Sequence, residues 1–197
     1  LVGCSELMVV PTDGRIWLYG PELDDVESEP VFEEDHAQLP ALRDYMLDLM
    51  NKYNGVGIAA PQVGVFKQFI LVRMSDGEVV DLINPEIREM YGKEIMGYEG
   101  CLSVPPSGNG CLVPRMERIT VECSTTQQPK VISNIALGRR DAVVVQHEID
   151  HLTGTFFFDR VPGAIKRSIL DSFTKWKKEN QVNAAEKNSR PFTPHRL

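Results

Sequence analysis

Two histidines and a glutamate stand close together in the segment QHEIDH, at residues 146–151. On an α-helix, residues i and i+4 lie on one face a turn apart, so His147 and His151 can direct imidazole nitrogens at one point. Two neutral imidazoles beside a carboxylate, here Glu148, are typical of a site where a divalent metal activates water for hydrolysis. The spacing therefore predicts a metal site on a helix, with a chance occurrence of the pattern as the alternative.

The third metal ligand is not given by this segment. The extended peptidase pattern HExxHxxGxxH matches Gly154 but has Phe157 where its third histidine belongs, which excludes that subclass. Peptidases that take a carboxylate from a following helix remain open, because Asp171 lies 20 residues after His151 on a predicted helix. A second candidate is Cys101 in the segment EGCLS, since a thiolate binds borderline metals strongly. A lone cysteine is, however, usually a small buried apolar side chain.

A third segment, GVGIAAPQ at residues 55–62, is small and apolar and ends in one amide side chain. Its glycines would let an extended ligand approach the backbone, and the amide of Gln62 could donate a hydrogen bond to that ligand. Glycine and alanine after a helix often mark only a tight turn, so this segment alone is weak evidence for a binding site.

The elements that must position these segments follow from the apolar periodicity. A helical stripe predicts a first helix from Leu39 to about Tyr53, and similar patterns predict two more helices, at about 139–152 and 163–180. Short β-rich runs lie between the first two helices, at residues 69–72, 79–83, 119–123 and 131–135. Their spacing leaves no room for crossover helices, so the strands should be antiparallel.

The predicted fold class is therefore α+β, with antiparallel strands, one helix that carries the two histidines, and a further N-terminal and C-terminal helix. We expect a single catalytic domain over residues 1–180, because neither a repeat nor a linker divides the chain. The tail at 181–197 is polar and contains two prolines, so it is expected to be disordered.

Composition limits the classes of function. The chain of 197 residues has a net charge of -7, which argues against general nucleic-acid binding, and its apolar runs fall short of the roughly 18 residues of a membrane span. Four cysteines without a CxxC pair are typical of thiols in a reducing compartment. We expect a cytoplasmic protein, or one of an organelle matrix or stroma if the start at Leu1 reflects processing.

Together, the three segments resemble the signature of the peptide deformylase family. That signature is GxGxAAxQ, EGCxS and QHExDH in this order, matched here by Gly55–Gln62, Glu99–Ser103 and Gln146–His151. The resemblance extends from about Leu39 to Val161. It implies a metal-dependent hydrolase that removes the N-formyl group from the N-terminal methionine of newly synthesised peptides. It also implies a fold of antiparallel β-sheets packed around a central metal-binding helix. The alternatives are another HExxH metallopeptidase and a catalytically idle metal-binding relative.

The resemblance also implies roles for individual residues. Cys101, His147 and His151 would be the metal ligands, with Fe(II) as the expected metal and Ni, Co or Zn able to replace it. Glu148 would act as general base and then as general acid.

The remaining implied roles concern the substrate. The Leu102 backbone N–H and the Gln62 amide would stabilise the tetrahedral oxyanion. Gly57 would hydrogen-bond to a substrate that lies like an added strand. The pocket for the methionine side chain would be lined by Val56, Val143 and Val144.

This chain departs from the family pattern near that pocket. Gly138–Ala142 carries three charges where the family usually has small and apolar residues, which leaves the substrate preference open. The loop Pro106–Leu112 contains no arginine, so a cationic contact to the peptide found in some relatives is not assigned. Arg115 is expected to pair with Glu99 inside the protein.

The predicted third helix, Gly163–Asn180, has a net charge of +3 in an acidic chain. A solvated outer face is the simpler explanation. In bacterial deformylases, a C-terminal helix is thought to dock near the ribosomal exit tunnel, so the resemblance also implies the ribosome as a partner.

Overall fold

The structure of the chain is a computed structural model that describes residues 7–180 and 189–190. This part of the chain contains seven strands: β1 (Ile16–Trp17), β2 (Gly57–Ala59), β3 (Phe69–Arg73), β4 (Val79–Glu99), β5 (Cys111–Thr125), β6 (Gln128–Gly138) and β7 (Ser189–Arg190). Strands β2 to β6 form one antiparallel sheet in chain order, and β1 pairs with β7. No described helix is long and apolar enough to cross a membrane.

The described residues also contain three α-helices and three short 3-10 helices. The α-helices are α1 (Leu39–Lys52), α2 (Arg139–His151) and α3 (Gly163–Glu179). The 3-10 helices are Glu33–Gln38, Ala60–Val63 and Phe157–Arg160. Pro40 lies in the first turn of α1, where its missing N–H costs nothing, and the chain leaves the helix through Asn54 at a φ of 53°.

Helix α2 lies in the interior of the fold. Its apolar face contributes Ala142 and Val145 to a core cluster with residues of β3, β4 and β5, among them Ile70, Leu82 and Val121. The opposite side of the central strands packs on α1, and α3 packs through Ile169 and Phe173 on a third, aromatic-rich cluster. The predicted α+β class, with antiparallel sheets around a central helix and with N-terminal and C-terminal helices, is confirmed.

The strands differ most from prediction in length. The sequence predicted only residues 79–83 as a strand, whereas β4 continues to Glu99. Residues 88–94 of this strand are exposed, so they are held by the backbone ladder to β5 and show no apolar alternation that could have indicated a strand. Strand β2 was not predicted because its three residues are all buried and include glycine and alanine.

The long strand β4 has two different sets of neighbours. Its residues 79–83 pair with β3, and Ile83 also pairs with Ser124 of β5, whereas residues 86–99 have only β5 as a partner within the described chain. An open edge therefore runs along the last part of β4. Strand β2 is also an edge strand of the same sheet.

The expectation of a disordered tail at 181–197 lies outside the described residues, apart from the backbone pairing of Ser189–Arg190 with β1. A single catalytic domain over residues 1–180 likewise remains a prediction.

Candidate metal centre

Helix α2 carries the two histidines at the bottom of a cleft. His147 and His151 are one turn apart, and their ring centroids are separated by 5.1 Å. Both side chains are buried, in a helix whose interior position removes them from water. The sequence prediction of a shared helical face is therefore confirmed.

The loop between β4 and β5 brings the sulfur to these rings. Its base is closed by the pairing of Glu99 with Cys111, and Cys101 lies just beyond it. The Cys101 Sγ is 3.4 Å from the His151 Nε2, and the ligand atoms of Cys101, His147 and His151 all lie within 4.8 Å of one another. One thiol and two imidazoles at this separation fit a single metal such as zinc or iron.

An ion-pair network orients His147. Its Nδ1 is 2.7 Å from the Glu99 Oε1, which leaves the Nε2 for the metal. Arg115 donates two hydrogen bonds of 2.8 Å to Glu99 and one of 2.7 Å to Asp150 on α2. Burial alone would raise the pKa of Glu99, because it disfavours the charged carboxylate. The hydrogen bonds from Arg115 and His147 have the larger combined effect, so the pKa of Glu99 is lowered. The predicted pairing of Arg115 with Glu99 is thus confirmed.

The two imidazoles have different electrostatic surroundings. Burial and the neighbouring His147 and Arg115 lower the pKa of His151 well below its usual value, which favours the neutral form that binds metals. Burial opposes protonation of His147 as well, but its contacts to Cys101 and Glu99 outweigh burial and raise its pKa. A raised pKa favours the protonated imidazole of His147, and protonation competes with metal binding because a ligating imidazole is neutral.

Glu148 lies next to this set without joining it. Its side chain is buried, its Oε1 is 4.0 Å from the His147 Nε2, and its Oε2 has no hydrogen-bond partner within the described chain. Burial raises the pKa of Glu148 to about 7. A carboxylate with this pKa can both accept and return a proton near neutral pH.

Gln62 has a fixed orientation at the same site. Its Oε1 accepts a hydrogen bond from the Ala59 N–H at 2.9 Å, and its Nε2 donates to the Ser103 Oγ at 3.0 Å. The same Nε2 lies 3.5 Å from the Cys101 Sγ. The side-chain NH2 group of Gln62 therefore points toward Cys101 and Ser103, and its oxygen points toward the backbone of Ala59.

A cavity of about 610 Å³ opens over these side chains. It lies between β2 on one side and the open edge of β4 on the other, with α2 as its floor. The predicted residues that line it are Val56, Gly57, Gln62, Cys101, Leu102, Val143, Val144, His147 and Glu148. The structure thus brings together every predicted site residue, with His151 buried beside the Cys101 sulfur.

Asp171, the alternative third ligand, lies elsewhere. It is an exposed residue of α3, and the metal-ligating cluster found among the described residues consists of Cys101 and the two histidines. The peptidase alternative is therefore not favoured.

Sequence reasoning missed the supporting roles of three residues, Ser103, Asp150 and Arg160. Ser103 accepts the hydrogen bond that orients Gln62, and Asp150 binds both Arg115 and Arg160. The position of Asp150, three residues after His147 on α2, was the available signal, because such residues share a helical face.

An antiparallel α+β fold with a Cys-His-His set beside a buried carboxylate defines a metal-dependent hydrolase. A sequence model of the polypeptide deformylase family matches residues 15–167, and the chain belongs to this family. Enzymes of this family hydrolyse the N-formyl group from N-formylmethionyl peptides, which confirms the activity implied by the three motifs.

Named relatives are similar over most of the chain. The peptide deformylase of Halothermothrix orenii is 44% identical over 136 residues, covering 68% of this chain and 84% of that protein. The peptide deformylase of Acetivibrio thermocellus is 38% identical over 145 residues, covering 74% and 82%.

Solved structures agree with this assignment. The crystal structure of peptide deformylase from Thermus thermophilus has a TM-score of 0.73 at 35% identity and covers 87% of this chain and 99% of that one. A plant peptide deformylase has a TM-score of 0.78 at 29% identity, covering 90% and 96%.

Proposed function

We propose that this deformylase binds one divalent metal through Cys101, His147 and His151. The proposal is supported by the mutual distances of the three donors and by the Glu99 contact that directs the His147 Nε2 toward them. A thiolate with two imidazoles suits Fe(II), which is the metal we expect, and also Ni, Co or Zn. When bound, such a metal supplies a Lewis acid that lowers the pKa of a coordinated water.

Glu148 is the residue proposed to move the proton. It takes the proton of the attacking water and later returns it to the leaving amine of the methionine. Two observations support this role: the Oε2 has no partner within the described residues, and burial sets the pKa of this carboxyl at about 7. The single observation that carries the proposed mechanism is this buried carboxylate beside the Cys-His-His set, with an Oε2 that has no partner among the described residues.

Gln62 and Leu102 are proposed to stabilise the oxyanion that forms at the formyl carbon. The Gln62 amide is held from two sides, by Ala59 and Ser103, so its Nε2 needs no reorientation during the reaction. Leu102 follows the ligand Cys101 directly, and its backbone N–H is the second proposed donor.

The substrate is proposed to enter as an extended strand beside β2. Gly57 lies in this edge strand and would hydrogen-bond to the substrate through its backbone. The methionine side chain would contact Val56, Val143 and Val144, which are half-buried or exposed in the same cavity and therefore free to receive an apolar group.

The ribosome is the proposed macromolecular partner, through α3. This helix packs on the protein through Ile169 and Phe173. Its lysines are exposed or half-buried beside this contact. A basic helix on an acidic protein would be attracted to ribosomal RNA.

A cytoplasmic setting, where formylated chains are made, is supported by the free thiols at Cys101, Cys111 and Cys123.

The test of the proposed function is formate release from formyl-Met-Ala-Ser by the metal-loaded full chain. Unformylated Met-Ala-Ser is the control, and we expect no cleavage of its peptide bonds. Hydrolysis of the unformylated peptide would indicate a peptidase, and inactivity on both peptides would indicate an idle metal-binding relative.

A further inference from the structure

The first two residues of α2 lie at the mouth of the substrate cavity. Arg139 and Arg140 line the same cavity as Glu148 and His147, and both arginines are exposed. Arg140 lies seven positions before His147 on the helix, which corresponds to about 10 Å along the helix axis. The arginines therefore stand at a fixed distance from the reacting group, on a rigid element.

Arg140 is held in place at this mouth. Its Nη1 donates to the Arg73 carbonyl at 3.2 Å and lies 3.5 Å from the Asp141 Oδ1. Asp141 is itself bound elsewhere, because it accepts hydrogen bonds of 2.9 Å from both the backbone N–H and the hydroxyl of Ser75. The charge of Arg140 is consequently neutralised only in part.

Arg139 has no ion pair or hydrogen bond of its side chain within the described part of the chain. It adopts a φ of 51°, a conformation that an arginine rarely takes and that glycine or asparagine would take more readily. Its guanidinium is therefore available to a ligand, and its backbone conformation is not explained by local preference.

Among the described residues that line the cavity, no exposed acid balances these two charges. The acidic lining residues are Glu99 and Glu148, and both are buried at the metal end. Glu99 is already bound by Arg115 and His147. The N-terminal end of α2 adds partial positive charge at the same place. The mouth of the cavity is thus positive although the chain is acidic overall.

An extended peptide advances about 3.3 Å per residue. With the formyl group at the metal end and the methionine against Val143 and Val144, the second and third residues of the substrate lie about 7–10 Å further on. That distance places their side chains within reach of the two guanidinium groups, which present planar donors suited to a carboxylate.

We propose that Arg139 and Arg140 make this deformylase selective for formylated peptides with aspartate or glutamate at the second or third residue. This inference rests on the proposed binding mode of the substrate. The carboxylate of a short peptide's C-terminus has the same chemistry as an acidic side chain, so the two sources must be separated experimentally by amidating the C-terminus.

The test compares kcat/KM among four C-terminally amidated peptides: formyl-Met-Ala-Ala, formyl-Met-Asp-Ala, formyl-Met-Ala-Asp and formyl-Met-Lys-Ala. We expect at least one aspartyl peptide to exceed the alanyl peptide by about twofold to fivefold, as for partly exposed ion pairs, and the lysyl peptide to be the poorest. The ratio should fall toward one in roughly 0.5 M salt, a measurement on the unaltered enzyme.

Three variants assign the effect to these residues. Arg139→Gln with Arg140→Gln should bring the aspartyl-to-alanyl ratio close to one, whereas Arg139→Lys with Arg140→Lys should retain part of it. Arg167→Gln removes an exposed arginine of α3 that does not line the cavity, so it should leave the ratio unchanged.

The outcomes separate this inference from the proposed function. Equal kcat/KM for all four amidated peptides, or a ratio that survives the double glutamine substitution, would overturn the selectivity while the deformylase activity stands. A preference seen only with free C-termini would assign the contact to the terminal carboxylate and overturn the side-chain selectivity. Inactivity on every formylated peptide would overturn both.

Discussion

The Glu99 Oε1 and the His147 Nδ1 are 2.7 Å apart, and this contact joins the end of strand β4 to the middle of helix α2. Glu99 precedes the loop that carries Cys101, and His147 is itself one of the two proposed metal ligands on the helix. Arg115 donates to both carboxylate oxygens of Glu99 and also to Asp150, so one buried guanidinium links both elements.

Replacing Glu99 by alanine should weaken metal binding by about tenfold to a hundredfold, because the His147 ring loses its orienting partner. It should also lower the free energy of unfolding by about 3–5 kcal/mol, since Arg115 keeps a buried charge with one partner removed. Chelator competition and urea unfolding measure the two effects. Glu86→Ala is the control, because that glutamate is exposed and pairs with Arg88 at the surface. Equal effects of the two substitutions would contradict the role of Glu99.

Cys101→Ser should reduce the metal content from about one per chain, because a hydroxyl is a much poorer ligand than a thiolate. Asp171→Ala should leave the metal content unchanged, since this residue is exposed on α3. Elemental analysis after gel filtration measures both. Unchanged metal content in Cys101→Ser together with metal loss in Asp171→Ala would make Asp171 of α3 the third ligand and contradict the proposed centre.

Glu148→Ala should retain the metal and the fold but lower turnover by a factor on the order of hundreds or more, because proton transfer is lost. Its stability should not fall, since the buried Oε2 has no hydrogen-bond partner within the described chain to lose. Metal analysis, thermal unfolding and steady-state kinetics separate these effects. Near-normal turnover would exclude the assigned mechanism.

Gly57→Ala should strongly reduce activity, because an added Cβ would lie 2.5 Å from the Glu148 Oε1 and displace the carboxylate. Gly163→Ala is the matched control: its Cβ would meet only the Arg167 side chain at 3.7 Å, an ordinary contact. The ratio of kcat for the two variants measures the effect. Equal activity would show that Glu148 can move without loss.

Changing Lys175, Lys177 and Lys178 to glutamate should abolish salt-sensitive ribosome binding while hydrolysis of a free formylated tripeptide continues. Co-sedimentation with ribosomes at low and high salt provides the measurement. The control is Lys52→Glu, a charge change on α1, away from α3. Binding that survives the triple substitution would leave α3 a purely structural element.

The sequence could predict His147 and His151 as candidate ligands because they occupy one short segment in which helical geometry decides their direction. Cys101 was implied only by the resemblance to the family. The spacing of His147 and His151 needs only a helix to bring the rings together. The extension of β4 beyond residue 83 could not be predicted in the same way, because its exposed side chains carry no apolar period.

The ion-pair partners of Asp150 could not be predicted from the sequence either. Arg115 lies 35 residues away on β5, and only the folded sheet brings their side chains together. Ion pairs between distant elements leave no spacing signal, whereas ligands on one helical turn do.

The link that Arg115 makes between Glu99 and Asp150 has a consequence for how the enzyme is supplied with metal. The contacts by which Arg115 joins strand β4 to helix α2 are made by protein groups, so they can form before a metal is bound. A proposed centre preorganised in this way would differ from small zinc domains that fold only around their metal. The ion that occupies it in a cell would then be selected by availability and exchange, and different metals could enter one and the same folded protein.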